Sequence, residues 1–140
     1  DIYDVLNSIF MQAIEENLRD VAEGGSFYEE YIKAASLLVQ YRDVVIHVYN
    51  SKNRDIVTNY LERLTAEIVR GYIARKSEGQ NISDKDLEFI SYFYSYAIIG
   101  STYKWIESGM KADFKHFIGK IADSIDATLP VMISKAGKAD

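Results

Sequence analysis

The sequence predicts an all-α protein of about six helices in an antiparallel bundle, and three observations carry that prediction. Apolar residues recur three and four positions apart through six stretches, the spacing of a buried helix face. Turn formers are confined to short runs between the stretches, and the chain has one proline and eight glycines, too few for a turn-rich β architecture. Apolar residues make up 48% of the 140 residues, which suits one buried core and excludes a disordered chain. A single domain over residues 1–140 is expected.

The first helix is expected from Ile2 to Val21, where Val5, Leu6, Ile9, Phe10, Ala13, Ile14 and Leu18 share the helical spacing. The run Glu23 to Ser26, "EGGS", breaks it, and the Ser26 hydroxyl can cap the next helix. That second helix is expected from Phe27 to Gln40, with Tyr31, Ala34, Ala35 and Leu38 on one face. The third stretch, "RDVVIHVYN", is rich in β-branched Val44, Val45, Ile46 and Val48, which would also suit a strand. It is read as a short helix because the chain offers no second strand to pair with it.

The fourth helix is expected from about Arg54 to Lys76, with Val57, Tyr60, Leu61, Leu64, Ile68 and Tyr72 forming its main stripe. Ser83, with Asp86 three residues later, reads as the cap of a fifth helix from Asp84 to Ser108. Gly109 supplies a left-handed C-cap. The sixth helix begins near Ala112 and repeats Phe114, Phe117, Ile118, Ile121, Ile125 and Leu129. Pro130 is expected to end or kink it, leaving residues 130–140 as a frayed tail.

Composition excludes several functions. The net charge is −5, whereas holding nucleic acid requires a concentrated basic surface. The basic run Arg54, Arg63, Arg70, Arg75 and Lys76 is interleaved with Asp55, Glu62, Glu67 and Glu78, so it reads as a solvated helix face. The absence of cysteine removes disulfides and thiolate chemistry and fits a cytoplasmic location. No apolar run reaches the roughly 18 residues of a membrane span. No nucleophile elbow, phosphate loop or facing carboxylate pair is present, so neither an enzyme nor a cofactor is expected. His47 lies one turn from Asp43, and His116 lies three residues from Asp113. Neither pair supplies the ligands a metal site requires, and none is expected.

The fifth helix poses the main question. In "YAIIGSTYKWIESGMK", Tyr96 to Lys111, apolar residues cover nearly the whole circumference, which requires neighbours on all sides. Phe89, Phe93, Tyr96, Gly100 and Tyr103 share one face, while Ile90, Tyr94, Ile98 and Trp105 lie elsewhere. Gly100 costs about 1 kcal/mol relative to alanine inside a helix, and with Ala97 and Ser101 it makes a small-residue patch for close approach. Periodicity leaves two partners open: another helix of the same chain, or a second copy completing a two-fold four-helix interface. The interface expected in the second case comprises Ala97, Gly100, Ser101, Trp105, Phe114, Phe117, Ile118, Ile121 and Ile125.

The segment Phe93 to Ile125, "FYSYAIIGSTYKWIESGMKADFKHFIGKIADSI", resembles the C-terminal regulatory domain of tetracycline-repressor-family (TetR/AcrR) transcriptional regulators. An aromatic helix with a mid-helix glycine leads there into a tryptophan, an aliphatic residue and a glycine, the positions of Gly100, Trp105, Ile106 and Gly109 here. Tyr41 to Leu64 resembles that family's short helix and the start of its long central helix. The resemblance implies a homodimer built on the last two helices and an effector cavity enclosed by the earlier ones. It also implies that DNA is read by a helix-turn-helix upstream of Asp1, absent from these residues.

Eleven tyrosines suit a cavity for a small hydrophobic or aromatic effector with one or two polar atoms. Under that resemblance the expected lining is Phe10, Ile14, Tyr31, Tyr41, Tyr60, Leu64, Phe89, Tyr92, Phe93 and Tyr96. The expected function is therefore the effector-binding and dimerisation domain of a transcriptional repressor. The alternative is a free-standing helical interaction module that dimerises without a small-molecule ligand.

Overall fold

The computed structural model describes residues 1–20 and 25–138, in six helices with no strand among them. They are α1 (Ile2–Asp20), α2 (Phe27–Gln40), α3 (Arg42–Tyr49), α4 (Asp55–Lys76), α5 (Asp84–Glu107) and α6 (Phe114–Lys138). Val21, the Glu23–Gly24 break and the Leu18 side chain lie outside the described residues.

Local chemistry sets the helix ends. The Ser26 hydroxyl accepts from the Glu29 amide at 3.1 Å, and Ser83 does the same for Asp86 at 3.1 Å. Each satisfies one of the amides that a helix start leaves without an intrahelical acceptor. The Asp113 carboxylate caps α6 by accepting from the His116 amide at 3.0 Å. The β-branched stretch is indeed helical, with Val45, Val48 and Tyr49 buried.

At the end of α5, Gly109 adopts φ 83° and Met110 φ 54°. The Met110 amide donates to the Trp105 carbonyl at 2.9 Å and the Gly109 amide to Ile106 at 2.9 Å. This double closure is the Schellman arrangement, with glycine at the left-handed position. It turns the chain from α5 into α6.

Pro130 does not end α6, which continues to Lys138 and buries Ile133. The proline removes one amide, and the carbonyl it frees belongs to Asp126, four residues earlier. Both residues lie on the exposed side of α6, where water can satisfy that carbonyl. Residues 130–138 are thus helical rather than frayed, and Ala139 and Asp140 lie outside the described residues.

The most extensive helix contact joins α4 to α5. α1 packs on α4 and α2, α6 packs on α2 and α5, and α3 closes one end against α4 and α5. One continuous core unites all six helices, from Phe10 on α1 through Tyr31, Leu64 and Ile98 to Ile118 on α6.

Candidate functional site

Nine of the ten residues expected to line one cavity divide into two groups in space. Phe10, Ile14, Tyr31, Tyr60 and Leu64 are buried in the core. Phe10 stacks on Tyr60 with centroids 4.0 Å apart. Tyr31 shares a 2.9 Å hydrogen bond with Thr65, and the Tyr60 hydroxyl donates to the Ala34 carbonyl at 3.1 Å. Their polar atoms are satisfied within the chain. Tyr41 is half-buried at the α2–α3 junction.

Phe89, Tyr92, Phe93 and Tyr96 lie instead on the outer side of α5, at 46, 49, 51 and 68% exposure. Ile90, Tyr94 and Ile98 take the inward face. The four outer aromatics therefore do not meet the core group in a common cavity. The sequence could not choose between these faces, because both are apolar.

Two grooves flank the outer ridge of α5. The first lies between α4 and α5 and encloses about 620 Å³. Its floor is Ala66, Ile73, Leu87 and Ile99, and Tyr92 and Tyr96 stand along one wall. Glu62, Arg70, Asp84 and Glu88 supply its charges. Sequence reasoning found the two tyrosines but missed the α4 wall. The available signal was the pair Ala66 and Ala74, small residues two turns apart on one helix face.

The second groove lies between α5 and α6 and encloses about 450 Å³, lined by Phe93, Ala97, Ser101, Phe117, Ile121 and Ile125 among others. A Cβ placed on Gly100, at the crest between the grooves, would meet no atom within 4 Å. No described helix packs on Gly100. This removes the intrachain crossing that periodicity had left open at that position.

The nine expected interface residues also separate. Ala97, Gly100 and Ser101 are exposed, and Phe114, Phe117 and Ile121 are half-buried. Trp105, Ile118 and Ile125 are buried within the chain itself. Trp105 stacks on Phe117 at 5.3 Å, and its Nε1 donates to the Ala112 carbonyl at 2.9 Å. It therefore anchors the α5–α6 turn and presents little surface to a partner.

Burial pushes the Tyr31 phenol upward against the opposing hydroxyls of Thr65 and Thr102. It raises Tyr60 strongly, with Tyr31 adding to the effect. Tyr103 is raised by burial and by the Glu62 carboxylate, which accepts a hydrogen bond from its hydroxyl at 3.3 Å. These tyrosines are neutral hydrogen-bonding groups at ordinary pH. His47 and His116 are both exposed. No three histidine or acidic side chains converge as a metal site among the described residues. Among them too, no helix is long and apolar enough to cross a membrane.

A family model described as transcriptional regulator C-terminal region matches residues 26–127. That span runs from the cap of α2 to within α6 and includes the α4–α5 groove and all of the α5–α6 groove's lining but Thr128. No curated protein and no solved structure matches the chain significantly.

Proposed function

Because this chain belongs to the TetR-type family of transcriptional-regulator C-terminal regions, we propose that it is the dimerisation and effector-binding domain of a repressor. Two copies associate through the outer faces of α5 and α6. A small hydrophobic or aromatic effector shifts the arrangement of the pair. That shift changes the separation of two DNA-reading helix-turn-helix units joined ahead of α1. Successive major-groove contacts lie about 34 Å apart, so a change in separation governs whether both units can bind.

One observation carries this reading. Phe89, Phe93 and Tyr96 are about half exposed or more on a helix where no described residue comes within 4 Å of a Cβ on Gly100. An aromatic ridge of this kind, beside an apolar groove, marks an association surface. Phe93→Glu tests it, since Phe93 is 51% exposed and its loss leaves the core intact. Sedimentation should show a dimer for the parent chain and a folded monomer for the variant. A parent chain that stays monomeric at every concentration would refute the dimer.

Support for an effector site comes from the α4–α5 groove, whose 620 Å³ falls within the roughly 300–1,000 Å³ of small-molecule sites. The core position expected for the cavity is occupied by the Phe10–Tyr60 stack. That occupancy favours a second reading, a dimerisation module without a ligand. A thermal-shift screen of hydrophobic compounds separates the two. A shift abolished by Tyr92→Ala supports the effector site, and a dimer that no compound shifts supports the second reading.

A further inference from the structure

We infer that the α4–α5 groove selects a lipophilic cation: a single positive charge carried on an aromatic or branched apolar body. The inference rests on the groove being the effector site and adds the chemical class of what it takes.

The lining supplies both halves of such a ligand. Ala66, Ile73, Leu87 and Ile99 form an apolar floor between the two helices. Tyr92 and Tyr96 stand beside it with ring centroids 6.2 Å apart and planes 63° from parallel. Exposed ring faces attract a cation through their quadrupole. Neither ring is closed off by the core, since both are about half exposed or more.

The charges point the same way. Glu62, Asp84 and Glu88 line the groove against the one guanidinium of Arg70. Asp84 lies in the first turn of α5, where the helix dipole already favours a carboxylate. Glu62, which accepts from Tyr103 near the end of α5, and Glu88, one turn into α5, remain. Arg70 forms no ion pair among the described residues, so it neutralises neither by direct contact. A bound cation gains from these carboxylates and from the rings. An anion meets Arg70 but must enter past three carboxylates, and like charges brought close oppose binding.

Three probes of similar shape separate charge from bulk: tetraphenylphosphonium, triphenylphosphine oxide and tetraphenylborate, titrated in sodium buffer by calorimetry. The phosphonium should bind, and the oxide and the borate should bind more weakly. Glu88→Gln and Tyr92→Ala should each weaken the phosphonium about fivefold. Arg70→Gln should tighten it, and added salt should weaken it. Glu15→Gln, on the exposed side of α1, should leave it unchanged. These substitutions fall on exposed side chains, and circular dichroism checks that each variant folds. If the oxide or the borate binds as tightly as the phosphonium at a site that Tyr92→Ala weakens, the cation class is overturned and the effector reading stands. Phosphonium binding that ignores Glu88, Tyr92 and Arg70, or no phosphonium binding, overturns the inference at this groove.

Discussion

Phe10 of α1 and Tyr60 of α4 stack with their ring centroids 4.0 Å apart and their planes 16° from parallel. Both rings are almost wholly buried, and the Tyr60 hydroxyl reaches on to the Ala34 carbonyl of α2. Three helices thus meet at one aromatic pair. Phe10→Ala should cost about 3–5 kcal/mol, because it leaves a cavity that α1 cannot close. Tyr60→Phe should cost only about 1 kcal/mol, since the Ala34 carbonyl keeps its place in the α2 ladder. Urea unfolding measures both. Equal losses would mean that the hydroxyl, not the stack, joins the three helices.

Gly109 and Met110 hold consecutive left-handed conformations at the α5–α6 turn. A Cβ on Gly109 would meet only the Lys111 side chain, at 3.8 Å, an ordinary contact. The cost of Gly109→Ala is therefore backbone strain, about 1 kcal/mol. Thermal denaturation should show the loss, and Gly79→Ala should show a similar one because Gly79 has φ 78° and open space around it. A neutral Gly109→Ala would show that the turn reaches its geometry without left-handed preference at that residue.

Tyr72 joins α4 to α6 by donating to the Asp126 carboxylate at 3.1 Å. Burial, and then the carboxylate it bonds, push its phenol up to about 12 from the ordinary 10.0. A folded-state value above the unfolded one means the folded chain holds this proton more tightly. The stability linked to it is complete below pH 10.0 and is lost as pH rises through about 12. Tyr72→Phe cannot ionise and should flatten the decline over that interval. Unfolding measured at several alkaline pH values tests this, and a decline equally steep in both chains would assign it to the other buried tyrosines.

Three helix ends were legible because one residue's own chemistry sets each. Ser26, Ser83 and Gly109 act as caps because a hydroxyl or a missing Cβ meets a local backbone requirement. Pro130 misled because its effect depends on surroundings that local sequence does not reveal. The Asp126 carbonyl it frees lies on an exposed face, so the helix survives. The site was less legible for a similar reason. α5 is apolar on both sides, so periodicity could not tell that Ile90 and Ile98 face inward while Phe93 and Tyr96 face out. The groove beside Tyr92 further depends on the axial register of α4 against α5, a relation between helices that neither helix's pattern contains.

Gly100 separates folding from association in a single residue. Among the described residues nothing lies within 4 Å of where its Cβ would be, so an added methyl has no steric effect on the monomer. Gly100→Ala should stabilise α5 by up to about 1 kcal/mol through helix propensity. Gly100→Leu, at an exposed position, should also leave the monomer folded. Its isobutyl group would project from the ridge beside Phe93 and Tyr96, into the face where a second copy is proposed to pack. Overpacking a close helix contact costs about 1–3 kcal/mol, or roughly a 5- to 150-fold weaker dimer at about 1.4 kcal/mol per decade. Sedimentation measures association and urea unfolding measures the fold. A Gly100→Leu chain that dimerises as tightly as its parent would place the partner's helices away from this crest, with the ridge contacting solvent or a different molecule.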